Sequence, residues 1–280
     1  MSKLGARHVA WAAVFAVIAA VGCAAGAQDR PGFTDTPMLP DGKWRVHDPD
    51  RPYPEVVTPG AAPGAPPSDA TVLFDGTSLE AWQPQATPWP IADGAMTSTP
   101  LAHGDGENAL ISKDSFGDVQ LHLEFRSPNP PEGDSQNRGN SGIWFMERYE
   151  IQVLDGYRNA TYADGTEGAI YGWKPPLVNP SRPPGEWQSY DVVFERPRFG
   201  ADGELLRPAY FTAFLNGVLV QNRQPALGTI VWRKVAEYEP HGDAAPIRLQ
   251  DHNSPVSFRN IWVRRLPEAA ASHDFEGEVK

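Results

Sequence analysis

Polar side chains alternate with apolar ones in the stretch "NSGIWFMERYEIQVLDGY", residues 140–157. Successive side chains of a β-strand point to opposite faces, so Glu150 and Gln152 are expected on one face and the apolar residues around them on the other. The apolar set can lie in a core. The carboxylate and the amide, about 7 Å apart along the strand, fit either a solvated sheet face or the floor of a polar groove.

A histidine lies on a second segment with the same alternation. In "PIRLQDH", Ile247 and Leu249 can fill a core while Arg248, Gln250 and His252 share the other face, provided the strand continues. Histidine serves as a general acid, a general base or a metal ligand near neutral pH. His252 is therefore a candidate catalytic residue, and Gln250 is a candidate for binding a substrate.

Two further groups extend this candidate set. Asp155 falls where the first strand should end, so it is either a third catalytic group or the cap of the turn into Gly156. The predicted substrate-binding residues share the ability to bond or stack on a ligand: Asn140, Gln152, Tyr171, Trp187, Gln250 and Arg259. Tyr171 and Trp187 are equally compatible with a core, and a buried Arg259 would require a partner for its guanidinium.

The spacing of the carboxylates bears on the kind of chemistry. An extended strand separates Glu150 and Asp155 by roughly 16 Å and places them on opposite faces, which does not suit the carboxylate pair of an ordinary glycosidase, about 5 to 9.5 Å apart. Glu124 could face Glu150 if their strands are neighbours. Ordinary two-carboxylate hydrolysis therefore remains an alternative on this condition.

The absence of several known motifs disfavours the corresponding classes of enzyme. The sequence has neither an HExxH motif nor a pair of cysteines, and it lacks a GxSxG elbow, a phosphate-binding glycine loop and a dinucleotide fingerprint. Serine hydrolase, kinase and dehydrogenase functions are thereby disfavoured. A site for calcium or another divalent metal, built from scattered oxygen atoms, leaves little trace in a sequence, so metal ligands stay unknown.

Composition limits the partners. The 280 residues carry a net charge of −11, from 24 basic and 35 acidic residues. Nucleic acid and anionic lipid surfaces are therefore poor partners. Nine tryptophans and eight tyrosines suit stacking on the flat faces of sugars, and they equally suit a large β core.

The N-terminal segment predicts export. Residues 1–27 combine Lys3 and Arg7 with an apolar run from Val9 to Val21, as in a signal peptide. Cys23, the only cysteine, ends an Ala-Val-Gly-Cys run that resembles a bacterial lipobox, while ordinary cleavage before Gln28 is the alternative. The expected location is periplasmic or outer-membrane lipoprotein, or secreted, with Cys23 as the only contact with a membrane.

Composition and residue pattern divide the rest of the chain into three parts. Residues 28–70 are rich in proline, which predicts an extended linker, although part of it could dock on the domain. Residues 71–266 contain short alternating runs punctuated by glycine and proline, and Asn216-Gly217 is a strong hairpin signal. No helical periodicity appears there, which predicts an all-β sandwich or barrel. Residues 267–280 form a polar tail.

Seven motifs occur in the order found in one known family. They are "LFDGTSLEAWQ", "NSGIWF", "YEIQVLDGY", "GAIYG", "GEWQSYDVVF", "LNGV" and "IRLQDHNSPVSFRNIWVRRL". Over residues 70–266 the chain thus resembles the 3-keto-disaccharide hydrolase domain family. The resemblance implies a concanavalin-like jelly-roll β-sandwich, an exported protein that is often lipid-anchored, and a divalent metal in some members.

The resemblance also implies a reaction, the cleavage of glycosides whose glucose ring carries a ketone at C3. A C3 ketone makes the C2 proton acidic, so a base can remove it, the C1 substituent can leave and water can add. On this reading Glu150 is the candidate base or metal ligand, with His252 and Asp155 as further catalytic candidates. A non-catalytic carbohydrate-binding module and an envelope protein that contacts no sugar are the alternatives.

Overall fold

The structure, a computed structural model, describes residues 30–99 and 107–268. The chain divides into two compact units at residues 55 and 56. The predicted signal segment 1–27 with Cys23, and most of the predicted tail 267–280, lie outside the described residues. No helix in the described ranges is long and apolar enough to cross a bilayer.

The described part of the first unit, residues 30–55, is held by turns rather than by regular elements. Met38 and Arg45 form an isolated antiparallel bridge. The Arg45 guanidinium donates to the Thr36 carbonyl over 2.7 Å, and the Phe33 amide donates to the His47 carbonyl over 2.9 Å.

The described part of the second unit is all-β. It holds two short 3-10 helices, Ser135–Asn137 and Ala163–Gly165, and fourteen strands. The strands are β1 Thr71–Phe74, β2 Ile91–Ala92, β3 Ala95–Thr97, β4 Leu110–Phe116, β5 Val119–Arg126, β6 Ser141–Phe145, β7 Tyr149–Val153, β8 Gln188–Glu195, β9 Arg198–Phe199, β10 Leu205–Arg207, β11 Tyr210–Leu215, β12 Val218–Pro225, β13 Ala245–Leu249 and β14 Ser257–Arg265.

Two antiparallel sheets form the sandwich. The large sheet has eight strands in the order β12-β11-β8-β5-β14-β3-β2, with β1 also paired to β14. The small sheet has the order β4-β13-β6-β7, and β9 and β10 form a separate ribbon. The predicted all-β, concanavalin-like jelly-roll sandwich is confirmed.

The core lies between the sheets and follows the alternation in the sequence. On the small sheet, Tyr149, Ile151 and Val153 are buried, and Phe145 stacks on Phe194 of the large sheet at 4.9 Å between ring centroids. The predicted hairpin is present as well, since Asn216 and Gly217 separate β11 from β12 with φ of 53° and 77°. Left-handed residues at both positions suit the tight turn of such a hairpin.

Part of the proline-rich segment docks on the outer face of the large sheet. The Gly64 carbonyl accepts hydrogen bonds from Asn260 Nδ2 over 2.9 Å and from Trp262 Nε1 over 2.8 Å. Asp69 pairs with Arg264 at 2.6 Å. Residues 56–70 therefore cover His122, which is only 3% exposed and bonds Asp191 on the same face over 2.7 Å.

Candidate functional site

Two rows of cross-strand neighbours lie on the outer face of the small sheet, and they contain the polar residues Glu150, Gln152 and Arg248. In the first row, Arg248 of β13, Trp144 of β6 and Glu150 of β7 are cross-strand neighbours. In the second row, Gly142 pairs with Gln152, and the Gly142 carbonyl accepts from the Gln250 amide over 3.0 Å. Alternation puts both rows on the side away from the core.

Glycine at position 142 makes room for Glu150. A Cβ on residue 142 would lie 2.1 Å from Glu150 Oε1 and 3.0 Å from Trp144 Nε1. No larger side chain fits there unless the carboxyl group moves. The "NSGIW" motif therefore contains glycine because the Glu150 carboxyl occupies the space above its backbone.

Glu150 is buried, although it lies on the outer face of its sheet. It is 3% exposed, and beside it residues 169–171 pair with the edge of β7, where the Tyr171 amide donates to the Glu150 carbonyl over 3.3 Å. Burial raises the pKa of Glu150 to about 8, and the nearby Trp144 indole N–H opposes this rise. The indole nitrogen is itself buried without a hydrogen-bond partner among the described residues.

Gln152 can accompany either protonation state of Glu150. One orientation of its amide donates to Gln136 Oε1 over 3.1 Å and to Asn140 Oδ1 over 3.4 Å. Its oxygen then lies 3.1 Å from Glu150 Oε1, a contact that suits a protonated Glu150, and also 3.1 Å from the Ser141 carbonyl oxygen, which gives no hydrogen bond. The opposite orientation donates to Glu150 and to the Ser141 carbonyl, which suits an ionised carboxylate, but it places two oxygen atoms together at Gln136.

The segment 135–140 forms one wall above these rows. Gln136 Nε2 donates to Thr161 Oγ1 and to the Gly165 carbonyl, both over 2.8 Å. Its carbonyl accepts from Asn140 Nδ2 over 2.7 Å. The segment is anchored to the end of β7, because Arg138 Nε donates to Asp155 Oδ2 over 2.7 Å.

Aromatic side chains form a second wall. The Tyr162 and Tyr171 hydroxyls lie 3.0 Å apart, Trp232 is 68% exposed, and the Arg248 guanidinium lies 5.1 Å from the Trp144 ring centroid. Together the rows and walls enclose a cavity of about 720 Å³. It is lined by Glu107, Ser135, Gln136, Asn137, Asn140, Trp144, Glu150, Gln152, Tyr162, Tyr171, Ile230, Trp232, Arg248, Gln250 and His252.

The structure brings six of the predicted site residues to this cavity, from three separate parts of the chain. Asn140 comes from the segment before β6, and Glu150 and Gln152 from β7. The others are Tyr171, Gln250 and His252. Gln250 and His252 follow the end of β13 but keep the alternation of that strand, which had been the condition for their shared face.

Three predicted site residues lie elsewhere. Asp155 is buried beside Arg138 just past the end of β7, where it anchors the 135–140 segment rather than facing the cavity. Trp187 and Arg259 stack on each other, with the guanidinium 4.1 Å from the ring centroid, and Arg259 also pairs with Glu124 of the large sheet at 2.6 Å. These groups satisfy one another outside the cavity.

The alternative carboxylate pair does not form. Glu124 belongs to β5 of the large sheet and alternates with the buried residues Leu123 and Phe125, so it faces away from the core. Glu150 faces outward from the small sheet. The sandwich separates the two carboxyl groups, so hydrolysis by Glu124 and Glu150 together is excluded.

Sequence reasoning missed several residues of the cavity. Alternation puts Gly142 and Trp144 on one face of β6, but the register that brings this face beside Glu150 comes from the pairing of β6 with β7. Gln136 and Trp232 lie outside the regular strands, and no periodicity marks them. Within residues 30–99 and 107–268, no group of three or more His, Cys, Asp or Glu side chains could hold a metal ion.

Glu167 is a further buried carboxyl group, and it does not line the cavity. Glu167 is fully buried, accepts from the Gly156 amide over 3.3 Å and from the Ser181 hydroxyl, and leaves its Oε1 unpaired within the described chain. Burial, assisted by the nearby Asp155 carboxylate, raises the pKa of Glu167 to about 8. The folded protein therefore favours the protonated, neutral form of Glu167.

Glu167→Gln is expected to flatten the dependence of stability on pH. Because the pKa in the folded state, about 8, exceeds the ordinary value of 4.5, the Glu167 contribution is complete below pH 4.5 and is lost as the pH rises to about 8. Each pH unit in that window lowers the free energy of unfolding by about 1.4 kcal/mol. The glutamine amide does not titrate, so the variant does not show this loss. Denaturant unfolding from pH 5 to 9 measures it, with the exposed Glu186→Gln as the matched control. Parallel curves for wild type and Glu167→Gln would contradict this account.

Comparison with known protein families agrees with the resemblance seen in the motifs. The sequence model of the 3-keto-alpha-glucoside-1,2-lyase-like domain family matches residues 69–264, in agreement with the resemblance in the motifs. A comparison with curated proteins found no match.

Three crystal structures from Parabacteroides distasonis, each titled a "putative glycosyl hydrolase", are similar to the chain. One is 40% identical with a TM-score of 0.73, covering 82% of this chain and 100% of the other. A second is 18% identical with a TM-score of 0.53, covering 71% and 94%. A third is 22% identical with a TM-score of 0.50, covering 70% and 99%. The last two relate to this chain in fold alone.

Proposed function

Since this chain belongs to the 3-keto-alpha-glucoside-1,2-lyase-like domain family, we propose that it acts on glycosides and cleaves the glycosidic bond of 3-keto-glycosides. The observation that carries the proposal is Glu150, a buried carboxyl group with a pKa of about 8 on the floor of a polar cavity. A basicity near the working pH is what a general base needs to remove a carbon-bound proton. The family description and the 40% identical "putative glycosyl hydrolase" support the same class of substrate.

The reaction is an elimination followed by a hydration. The Glu150 carboxylate takes the proton from C2, and the electron pair moves to the C3 ketone as an enolate. The enolate then forms the C1–C2 double bond as the C1–O bond breaks, and the leaving oxygen takes up a proton. Water adds its oxygen to C1 and gives up one proton to the group that protonated the leaving oxygen, and Glu150 returns a proton to C2, so that both groups regain their starting protonation states. The products are the 3-keto sugar and the free alcohol.

The surrounding groups suit the charges that this sequence creates. Gln152 can donate to Glu150 when it is ionised and accept from it when it is protonated, so both states of the base have a partner. The Arg248 guanidinium, in the same row across Trp144, supplies positive charge near a developing enolate. His252, which is exposed and lines the cavity, is the candidate acid for the leaving oxygen.

The amides of the cavity suit the sugar itself. Gln136, Asn137, Asn140 and Gln250 line the same space as Glu150, and an amide can both donate to and accept from a sugar hydroxyl. Glu107, the other carboxylate of the lining, pairs with Arg248. It is therefore committed to a cation rather than available as a second acid. We further propose that the protein is exported, as residues 1–27 predict, and that a lipid on Cys23 anchors it.

The pH dependence of cleavage tests this assignment. Methyl 3-keto-glucoside is incubated with the protein from pH 5.5 to 9, with a protein-free blank at each pH, and methanol release is measured. Because Glu150 must be ionised to act as a base and its pKa is about 8, kcat/KM should rise about tenfold per pH unit below pH 7.5 and level off above about pH 8.

The controls separate the alternatives. Methyl glucoside, which lacks the ketone and hence the acidic C2 proton, should release no methanol under the same conditions. Equal cleavage of the two glucosides would indicate ordinary hydrolysis. Saturable binding of the 3-keto sugar without any product would instead identify a non-catalytic carbohydrate-binding module.

A further inference from the structure

A second cavity continues the first along its aromatic wall. It has a volume of about 670 Å³ and shares Tyr162, Tyr171 and Trp232 with the cavity that contains Glu150. Its other lining residues include Trp173, Val231 and Val235, which do not line the first cavity. A ligand that fills the first cavity can therefore extend into the second across the shared rings.

The two cavities differ in chemistry. The first is lined by five amide side chains and by Glu150, whereas the second is lined by no amide and by no hydroxyl other than the two tyrosines. Those two hydroxyls bond each other over 3.0 Å. The first cavity thus offers amide partners for sugar hydroxyls, while the second offers ring faces and aliphatic surface together with the charged side chains of Asp164, Arg233 and Lys234.

The apolar side chains of the second cavity are held in place although water reaches them. Trp232 is 68% exposed, Val235 75% and Val231 47%, and all three belong to the loop between Thr229 and Glu237, which form an isolated antiparallel bridge. The Lys234 amide donates to the Val231 carbonyl over 3.1 Å and closes the turn. Exposed apolar groups fixed together in this way are typical of a binding surface.

Trp173 also lines the second cavity. It is 38% exposed, and its indole Nε1 donates to the Pro225 carbonyl over 2.9 Å. Its hydrogen bond is therefore satisfied by the protein, so the ring is left to make apolar contact. A flat ring that stacks on Trp173 would gain apolar contact without displacing a hydrogen bond of its indole N–H.

We propose that the second cavity is the leaving-group subsite and that it accepts an aglycone with an aromatic ring. This assignment rests on the proposed function, which places the 3-keto sugar in the first cavity above Glu150. Amides, which both donate to and accept from sugar hydroxyls, are absent from the lining of the second cavity, whose polar side chains besides the two tyrosines are the charged Asp164, Arg233 and Lys234. An aromatic aglycone matches the ring faces and aliphatic side chains of the second cavity. It enters this cavity past Trp232, a residue that lines both cavities.

The test compares two glucosides that differ only in the aglycone. Isothermal titration measures the dissociation constants of 2-phenylethyl glucoside and of methyl glucoside, each as both anomers, with the full chain. The phenylethyl compound should bind at least about tenfold more tightly, because its ring leaves water on binding. Equal dissociation constants for the two compounds would overturn the subsite.

A pair of variants locates the effect in the second cavity. The double variant Val231→Ser/Val235→Ser should raise the dissociation constant of the phenylethyl glucoside about fivefold and reduce its preference over methyl glucoside. The matched control is Leu205→Ser/Leu206→Ser, which alters two exposed leucines of β10 that line neither cavity. An unchanged preference in the valine variant would overturn the placement of the ring.

Activity is measured separately, so that the two proposals fail in different ways. If methyl 3-keto-glucoside is cleaved but the phenylethyl preference is absent, the proposed function stands and the subsite is wrong. If the preference is present but neither 3-keto-glucoside is cleaved, the aromatic subsite stands and the proposed function is wrong. 2-Phenylethanol and methanol are both alkyl alcohols, so the comparison reports on binding rather than on the ease of the leaving step.

Discussion

Glu150→Gln is expected to lower kcat/KM for 3-keto-glucosides by a factor of about 100 to 10,000, the range that a positioned general base contributes. The amide has the shape of the protonated carboxyl group and cannot accept the C2 proton. Because Glu150 with a pKa of about 8 is mostly neutral at pH 7, the substitution does not remove a charge on which the fold depends. Stability at pH 7 should therefore be retained or slightly raised.

The measurement is steady-state kinetics at pH 8, with thermal unfolding as the check on folding. Glu124→Gln is the matched control, since it changes a strand carboxylate on the outer face of the other sheet and should leave the turnover of the substrate close to wild type. Glu150→Gln with activity within tenfold of wild type would exclude Glu150 as the base.

Gly142→Ala is expected to reduce activity by a factor of about 100 or more while it lowers stability only modestly. The added Cβ would lie 2.1 Å from Glu150 Oε1, so the carboxyl group must move. It is the end of a flexible side chain, and its displacement costs less than a shift of backbone. The base loses its position, although the sheet survives.

A double variant distinguishes this mechanism from general damage. If Gly142→Ala acts through Glu150, adding it to Glu150→Gln should cause little further loss of activity, because effects on one unit are not additive. Gly242→Ala is the matched control, since a Cβ there meets nothing within 4 Å. Fully additive losses in the double variant would show that Gly142 acts independently of Glu150.

The alternation of side chains predicted more of this site than any single motif. It placed Glu150 and Gln152 on one face, and it placed Gln250 and His252 on one face, because the period of a strand is fixed by its geometry. It could not say which sheet a face belongs to. Arg259 also alternates with core residues, but its strand lies in the large sheet, so its face looks away from the cavity.

The positions beyond regular strands were harder to predict for a physical reason. Asp155 lies two residues after β7 ends at Val153; alternation puts it on the face opposite Glu150, but its ion pair with Arg138 depends on a segment that no strand pattern marks. Gln136 and Trp232 reach the cavity only because connecting segments fold back over the small sheet. Such returns depend on contacts distant in sequence, which a local pattern does not contain.

The docking of residues 56–70 on the large sheet bears on where a shortened form of this protein can begin. The Trp262 indole N–H has the Gly64 carbonyl as its hydrogen-bond acceptor, and Asp69 neutralises Arg264. A truncation to Thr71, the first residue of β1, would strip both partners and uncover the His122–Asp191 pair. Deletion series for expression should therefore stop at or before Val56, although regular structure starts fifteen residues later.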